Sequence, residues 1–247
     1  MARIQEREEL AVSSYAEDVV QALQSAFEPH RDPARATSMS AYMRNLFPFV
    51  GIATTERRRL AREALSELPK PAEPDLTAAT MALYELPERE YHYVAVELAV
   101  ANVRTCGPGF LDHTRWMVTT HSWWDTVDGL AADVVGTLVR LNPELATAMD
   151  QWVGDENMWV ARTAILHQLR YKGATDTERL FGYCVRQAGH KDFFIRKAIG
   201  WALREYSKTD PDAVRTFITE HDGVLSGLSK REGMLWIVGR KKKPTRG

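Results

Sequence analysis

The sequence predicts an all-α protein built of helix pairs stacked in register. Two observations carry this. Apolar residues recur with the 3.6-residue period of an amphipathic helix along most of the chain, and no segment alternates convincingly as a half-buried strand would. In addition, Trp159–Arg170 (WVARTAILHQLR) matches Phe193–Arg204 (FFIRKAIGWALR) without gaps: Arg162 falls on Arg196, Ala164 on Ala198, Ile165 on Ile199, Leu169 on Leu203 and Arg170 on Arg204, an offset of 34 residues. A period of that size with two helices per repeat implies a HEAT-like α-solenoid, a curved superhelix of antiparallel helix pairs with a concave inner face.

In chain order, the segments Arg7–Phe27 and Met39–Phe47 rest on period alone. Thr55–Leu68 and Asp75–Tyr84 follow N-cap candidates, Thr54-Thr55-Glu56 and Asp75. Glu88–Val103 begins just after Pro87, a residue suited to a helix start because its missing N–H would be unpaired there. Gly107-Pro108-Gly109 reads as a turn, and the next helix is expected over Trp123–Leu141. Pro143–Trp152 opens on proline, and Asn157–Tyr171 ends near the turn at Gly173. Asp176–Gln187, Lys191–Ser207, Pro211–Glu220 and Ser229–Val238 complete the set. The expected organisation is a single repeat domain over 1–239 followed by a basic, flexible tail over 240–247, with Arg240-Lys241-Lys242-Lys243 at its start.

A chain of 247 residues with 45% hydrophobic and 26% charged residues suits a globular fold with its own core. No apolar run approaches a membrane span, and the start MARIQEREELAVSS lacks the apolar segment of a secretory signal. Two cysteines, Cys106 and Cys184, supply neither a disulfide framework nor a zinc site, so the expected location is the cytoplasm and the expected cofactor is none. The net charge of −1 hides an asymmetry: residues 1–159 carry 14 Lys+Arg against 24 Asp+Glu, and residues 160–247 carry 18 against 9. A basic second half suits a polyanionic partner.

Stepping the 34-residue ladder back from Arg162 reaches Asp128, so a carboxylate and two arginines share equivalent rungs. An acid beside a phosphate-binding groove costs affinity, which makes chemistry its natural justification. Asp128 shares a helix face with Trp124, four residues earlier, while Trp123 and Val127 form the neighbouring pair and suit the core better. Trp201 borders the same ladder, with His167 as its rung partner. Each has two readings at this point. Trp124 and Trp201 are core aromatics or groove aromatics; Arg162 and Arg196 are groove cations or stacking arginines paired with a neighbouring acid. No phosphate loop, HExxH zinc motif or GxSxG nucleophile elbow is present.

Six segments, in order, resemble the alkylpurine DNA glycosylases of the AlkD type. They are Tyr42-Met43-Arg44-Asn45, Gly51-Ile52-Ala53-Thr54-Thr55-Glu56-Arg57-Arg58, Leu86-Pro87-Glu88-Arg89-Glu90, Ser122-Trp123-Trp124-Asp125-Thr126-Val127-Asp128, Ala198-Ile199-Gly200-Trp201-Ala202-Leu203-Arg204-Glu205-Tyr206 and Leu228-Ser229-Lys230-Arg231-Glu232. One departure is Thr55, where the family often has proline. The resemblance implies a HEAT-like solenoid with duplex DNA in its concave face, and a monomeric, monofunctional enzyme that hydrolyses N3- and N7-alkylated purines (3-methyladenine, 7-methylguanine) from the sugar without base flipping. It implies Asp128, Trp124 and Trp201 at the reacting nucleotide, Arg162 at a flanking phosphate and Tyr42 near the DNA. Arg196, Lys230 and Arg231 are further candidate DNA contacts. The alternative is a non-catalytic HEAT-repeat module that binds DNA or serves as a protein scaffold.

Overall fold

The computed structural model describes residues 2–241, with side chains from 15 to 239. The tail assigned to 240–247 therefore lies outside the described residues, apart from the backbone of its first two. Among the described residues all regular structure is helical, and consecutive helices pack on one another in the manner of an α-solenoid. No described helix is long and apolar enough to cross a membrane. The chain divides into two compact units, 1–113 and 114–247.

In the first unit, α1 (Ala2–Phe27) packs on α3 (Thr54–Ala64) and α4 (Glu73–Glu85), and α4 packs on α5 (Arg89–Asn102). The four-residue spacing of Val19, Leu23 and Phe27 puts all three on one face of α1, fully buried. Leu76, Ala79 and Leu83 of α4 and Ala95 and Ala99 of α5 do the same. The ring of Phe27 stacks on Tyr91 with centroids 5.5 Å apart. Between α1 and α3 lies α2 (Pro33–Tyr42), which starts earlier than its periodic segment suggests because Asp32 accepts the backbone N–H of Arg35 and Pro33 occupies the first turn. Thr54 does not cap α3; Ala53 stands at that position and makes no side-chain cap bond. Asp75 likewise sits inside the first turn of α4 rather than at its cap, where Ala72 stands.

The segment between α2 and α3 has no helical bonds of its own, so its backbone needs other partners. It finds them on the buried carboxylate of Glu90. The Oε2 atom accepts from the N–H of Val50 (3.0 Å), and Oε1 accepts from Gly51 (2.8 Å) and Ile52 (3.2 Å). Gly51 has φ +100°, and a Cβ there would stand 2.2 Å from the carbonyl oxygen of Asp32. The neighbouring Arg89 lays its guanidinium 3.8 Å above the ring of Phe47 and reaches Nδ1 of His92 at 3.1 Å. His92 then donates from Nε2 to the carbonyl of Leu86 (2.8 Å). Two segments of the family resemblance, at Gly51 and at Leu86–Glu90, thus serve one another as a folding clamp. A third, Tyr42–Asn45, ends α2 with Arg44 and Asn45 both left-handed (φ 57° and 58°).

In the second unit the helix that begins within the Ser122–Asp128 segment is continuous but irregular. It comprises α7 (Trp124–Gly129), a π-helical turn over Leu130–Val135 and α8 (Gly136–Leu141). A helix absent from the periodic reading, α6 (Phe110–Thr119), precedes it. Next come α9 (Ala146–Trp152), α10 (Met158–Leu166), α11 (Thr177–Arg186), α12 (Phe193–Tyr206), α13 (Pro211–Glu220) and α14 (Gly227–Lys241). The row α7–α10–α12–α14 packs each helix on the next. The repeat is also written in the helix starts. Asn157 and Asp192, 35 positions apart, cap α10 and α12; Asp176 and Asp210, 34 apart, cap α11 and α13. Cross-rung bonds keep the same interval: the Tyr171 hydroxyl donates to the carbonyl of Gly136 35 residues back (2.7 Å), and Lys197 pairs with Glu232 35 residues on (2.7 Å).

Candidate active site

Asp128 lies in the last turn of α7, where the chain passes into the π turn. Its rung partner Arg162, 34 residues on, faces it across α7 and α10. Arg162 donates from Nε to Oδ1 at 2.7 Å and from Nη2 to Oδ2 at 2.9 Å, a bidentate fork matching the two carboxylate oxygens. Nη1 donates to the backbone carbonyl of Phe194, near the start of α12. Behind the pair stands an aromatic wall in which the ring of Phe194 lies 4.9 Å from Trp123 and 5.1 Å from Trp159. Val127 is fully buried, as expected for the pair it forms with Trp123 four residues earlier.

This setting explains the titration of the acid. The side chain of Asp128 retains 14% exposure and that of Arg162 4%. Burial pushes the Asp128 carboxyl above its ordinary value, the hydrogen bonds and charge of Arg162 oppose the rise, and the nearby Asp125 adds to it. The fork sets two donors against the two carboxylate oxygens, a geometry that favours the ionised form against the effect of burial.

The anion borders a cavity of about 160 Å³. Its wall includes Asp128, Asp133, Leu169, Arg170, Trp201 and Glu205. Asp128 and Trp201 therefore border one space. Gly200, beside Trp201, lets α14 come close to α12: a Cβ there would stand 2.4 Å from Cβ of Glu232. Glu232 in turn takes Lys197 at 2.7 Å and Arg204 at 3.0 Å. Trp124 shares the helix face of Asp128 one turn earlier and is half-buried, but it is not among the described residues that wall the cavity.

The remaining expected site residues are more dispersed. The family resemblance implies Arg162 at a flanking phosphate; in the structure three of its N–H groups are directed to Asp128 and Phe194, so it is paired with the acid of the neighbouring rung. The physical reason is that a nearly buried carboxylate on the adjacent rung needs a partner more than an exposed phosphate does. Arg196 is half-buried, and its Nε donates to the carbonyl of His190 at 2.9 Å. Lys230 reaches the carboxylate of Asp222 at 2.7 Å and its carbonyl at 2.9 Å. Arg231 is exposed. Tyr42 belongs to the first unit and is 73% exposed.

Three cavity residues escaped the sequence reading: Asp133, Arg170 and Glu205. Asp133 lies five residues beyond Asp128, which in a regular α-helix points elsewhere. The wider i→i+5 spacing of the π turn brings the two onto one side. Glu205 stands four residues after Trp201 on α12, a spacing that places the two on one helical face, whereas Arg170 lies beyond the end of α10 at Leu166 and helical spacing carries no signal for it.

Comparison with known proteins places these features in context. A family model described as DNA alkylation repair enzyme matches residues 23–237. A solved structure described as a predicted DNA alkylation repair enzyme from Enterococcus faecalis is 36% identical; the match covers 84% of this chain and 96% of that chain, with a TM-score of 0.78. No protein of the curated set matches the chain.

Proposed function

The chain belongs to the family of DNA alkylation repair enzymes, and from that membership we propose that it is a glycosylase hydrolysing the N-glycosidic bond of cationic N3- and N7-alkylated purines in duplex DNA. The observation that carries the reading is that Asp128, its carboxylate forked by Arg162, borders a cavity walled by Trp201. Alkylation at N3 or N7 gives the purine a positive charge. When the bond from C1′ to N9 breaks, the electron pair leaves with the base, which departs neutral and needs no general acid. Positive charge then passes to the deoxyribose as an oxocarbenium ion. A water oxygen bonds to C1′ and its proton is lost, leaving an abasic sugar. The acid therefore has two tasks, to offer a fixed negative charge to the developing cation and to orient the water.

In this reading Arg162 positions the carboxylate and keeps it ionised. Trp201 and Trp124 present ring faces to the sugar and the cationic nucleotide, worth about 0.5–2 kcal/mol each. Tyr42, Arg196, Lys230 and Arg231 contribute to holding the duplex. Because the acid acts on the sugar rather than the base, no pocket need enclose the lesion and the base can stay stacked. Neutral lesions, which keep a poor leaving group, are poor substrates. The protein acts as a cytoplasmic monomer on this reading.

The test is release of 7-methylguanine and 3-methyladenine from methylated duplex DNA by the wild type and by Asp128→Asn. The variant is expected to lose about 10²–10³-fold in the single-turnover rate, the usual cost of removing a charge-stabilising group. Equal rates would remove Asp128 from the chemistry. No release by the wild type would end the glycosylase assignment.

A further inference from the structure

With Arg162 turned inward, the site as described lacks the cation that would meet a phosphate beside the reacting sugar. We propose that Arg170 is that residue: its outward edge binds a backbone phosphate of the DNA and seats the deoxyribose over Asp128. The inference rests on the glycosylase reading for its catalytic consequence but not for the contact itself.

Four observations converge on it. Arg170 walls the same cavity as Asp128 and Trp201. Its side chain is 67% exposed, against 4% for Arg162. It is held rather than floppy, because Nε donates to Oδ1 of Asp133 at 2.9 Å and Nη2 to Oδ2 at 3.3 Å. Among the described residues those are its hydrogen bonds, so the Nη1 edge of the fork is left pointing away from Asp133. A guanidinium anchored along one edge and open on the other meets a phosphate with little further loss of side-chain freedom. Its charge is secure as well, since Asp133 and Glu205 both hold the proton on.

The arrangement also accounts for the acid-rich wall. Asp133 and Glu205 flank a cavity meant for a polyanion and would repel it on their own. Asp133 is satisfied by Arg170, and Glu205 by Lys208 at 2.5 Å. The cavity therefore presents a guanidinium paired with Asp133 along one edge and open along the other, beside acids that each have a partner, a pattern that accepts a single phosphate at a fixed place rather than a length of backbone. The neighbouring carboxylates bias the same spot toward a nucleotide whose base carries positive charge.

The experiment is a salt series of binding to an unmodified duplex, read by fluorescence anisotropy, for the wild type, Arg170→Ala, Arg170→Lys and Arg215→Ala. Arg215 is a surface arginine paired with Asp212 and serves as the charge control. Arg170→Ala is expected to weaken binding about tenfold and to lower the slope of log affinity against log salt by about one. Arg170→Lys should restore the slope, and Arg215→Ala should leave it alone. On methylated duplex, the loss in Arg170→Ala should appear in KM more than in kcat. A wild-type slope in Arg170→Ala, or an equal drop in Arg215→Ala, overturns the inference. If the wild type releases base and Arg170→Ala changes neither slope nor KM, the inference fails alone. If the slope depends on Arg170 and the wild type releases no base, the phosphate contact stands and the glycosylase reading falls.

Discussion

Replacing Arg162 with methionine isolates what the fork does for Asp128. The substitution keeps approximate length and apolar bulk against Phe194 while removing two hydrogen bonds and a charge from a carboxylate that is 14% exposed. Stripping the partner from a buried ion pair costs about 3–5 kcal/mol. Residual solvent access at Asp128 favours the lower end, about 3 kcal/mol. At 1.36 kcal/mol per pH unit, the carboxyl should titrate about two units higher than in the wild type. The pH profile of base release at saturating DNA reads this directly: its acidic limb should move up by that amount, with the alkaline plateau retained in part. Stability should follow with a definite sign. A carboxyl whose folded-state value lies above its unfolded value binds more protons when folded, so acid favours the folded state over that window. The deficit of Arg162→Met relative to the wild type should be greatest at neutral pH and shrink as pH falls through the raised value toward the ordinary range near 4. An unmoved acidic limb, or a deficit equal at pH 8 and pH 5, would refute the claim that Arg162 keeps the acid ionised.

Glu90→Gln should lower unfolding free energy by about 2 kcal/mol in a urea titration, because three backbone N–H groups lose an ionised acceptor and one meets an amide N–H instead; a change under about 0.5 kcal/mol would show the clamp to be dispensable. His167 is fully buried, with its Nδ1 on the carbonyl of Ala164, and burial pushes it down to about 4. Its contribution is complete above about pH 6.5, the unfolded value, and is lost as pH falls toward 4, by about 3 kcal/mol in all. Thermal melts across that range should show the decline, and His167→Gln should flatten it; an unchanged slope in the variant would assign the acid sensitivity to other groups such as His113.

The helical class and the 34-residue register were open to sequence reading because both are periodic and periodicity survives in one sequence. Arg162 and Arg196 lie five and four residues past the caps of α10 and α12, within one residue of equivalent places. A period does not say which way a side chain turns, however, and the two arginines end on different partners, Asp128 and the carbonyl of His190. The start of α2 is legible in Asp32-Pro33, a polar cap signal that apolar spacing does not carry. Asn157, Asp176, Asp192 and Asp210 repeat the register as caps, a polar signal invisible to a search for apolar identities. The π turn had no legible signature: Leu130-Ala131-Ala132-Asp133-Val134-Val135 suits an ordinary helix as well, so Asp133 and Arg170 were assigned no role at the cavity.

That turn bears on how such a site can arise or vanish. It amounts to one surplus residue inside a helix whose two ends are otherwise in phase. Regular winding over the same residues would set Asp133 about 140° around the helix from Asp128 and carry Arg170's anchor to another side. On the proposed reading, the winding of this stretch, as well as its residue types, sets where the guanidinium of Arg170 is held.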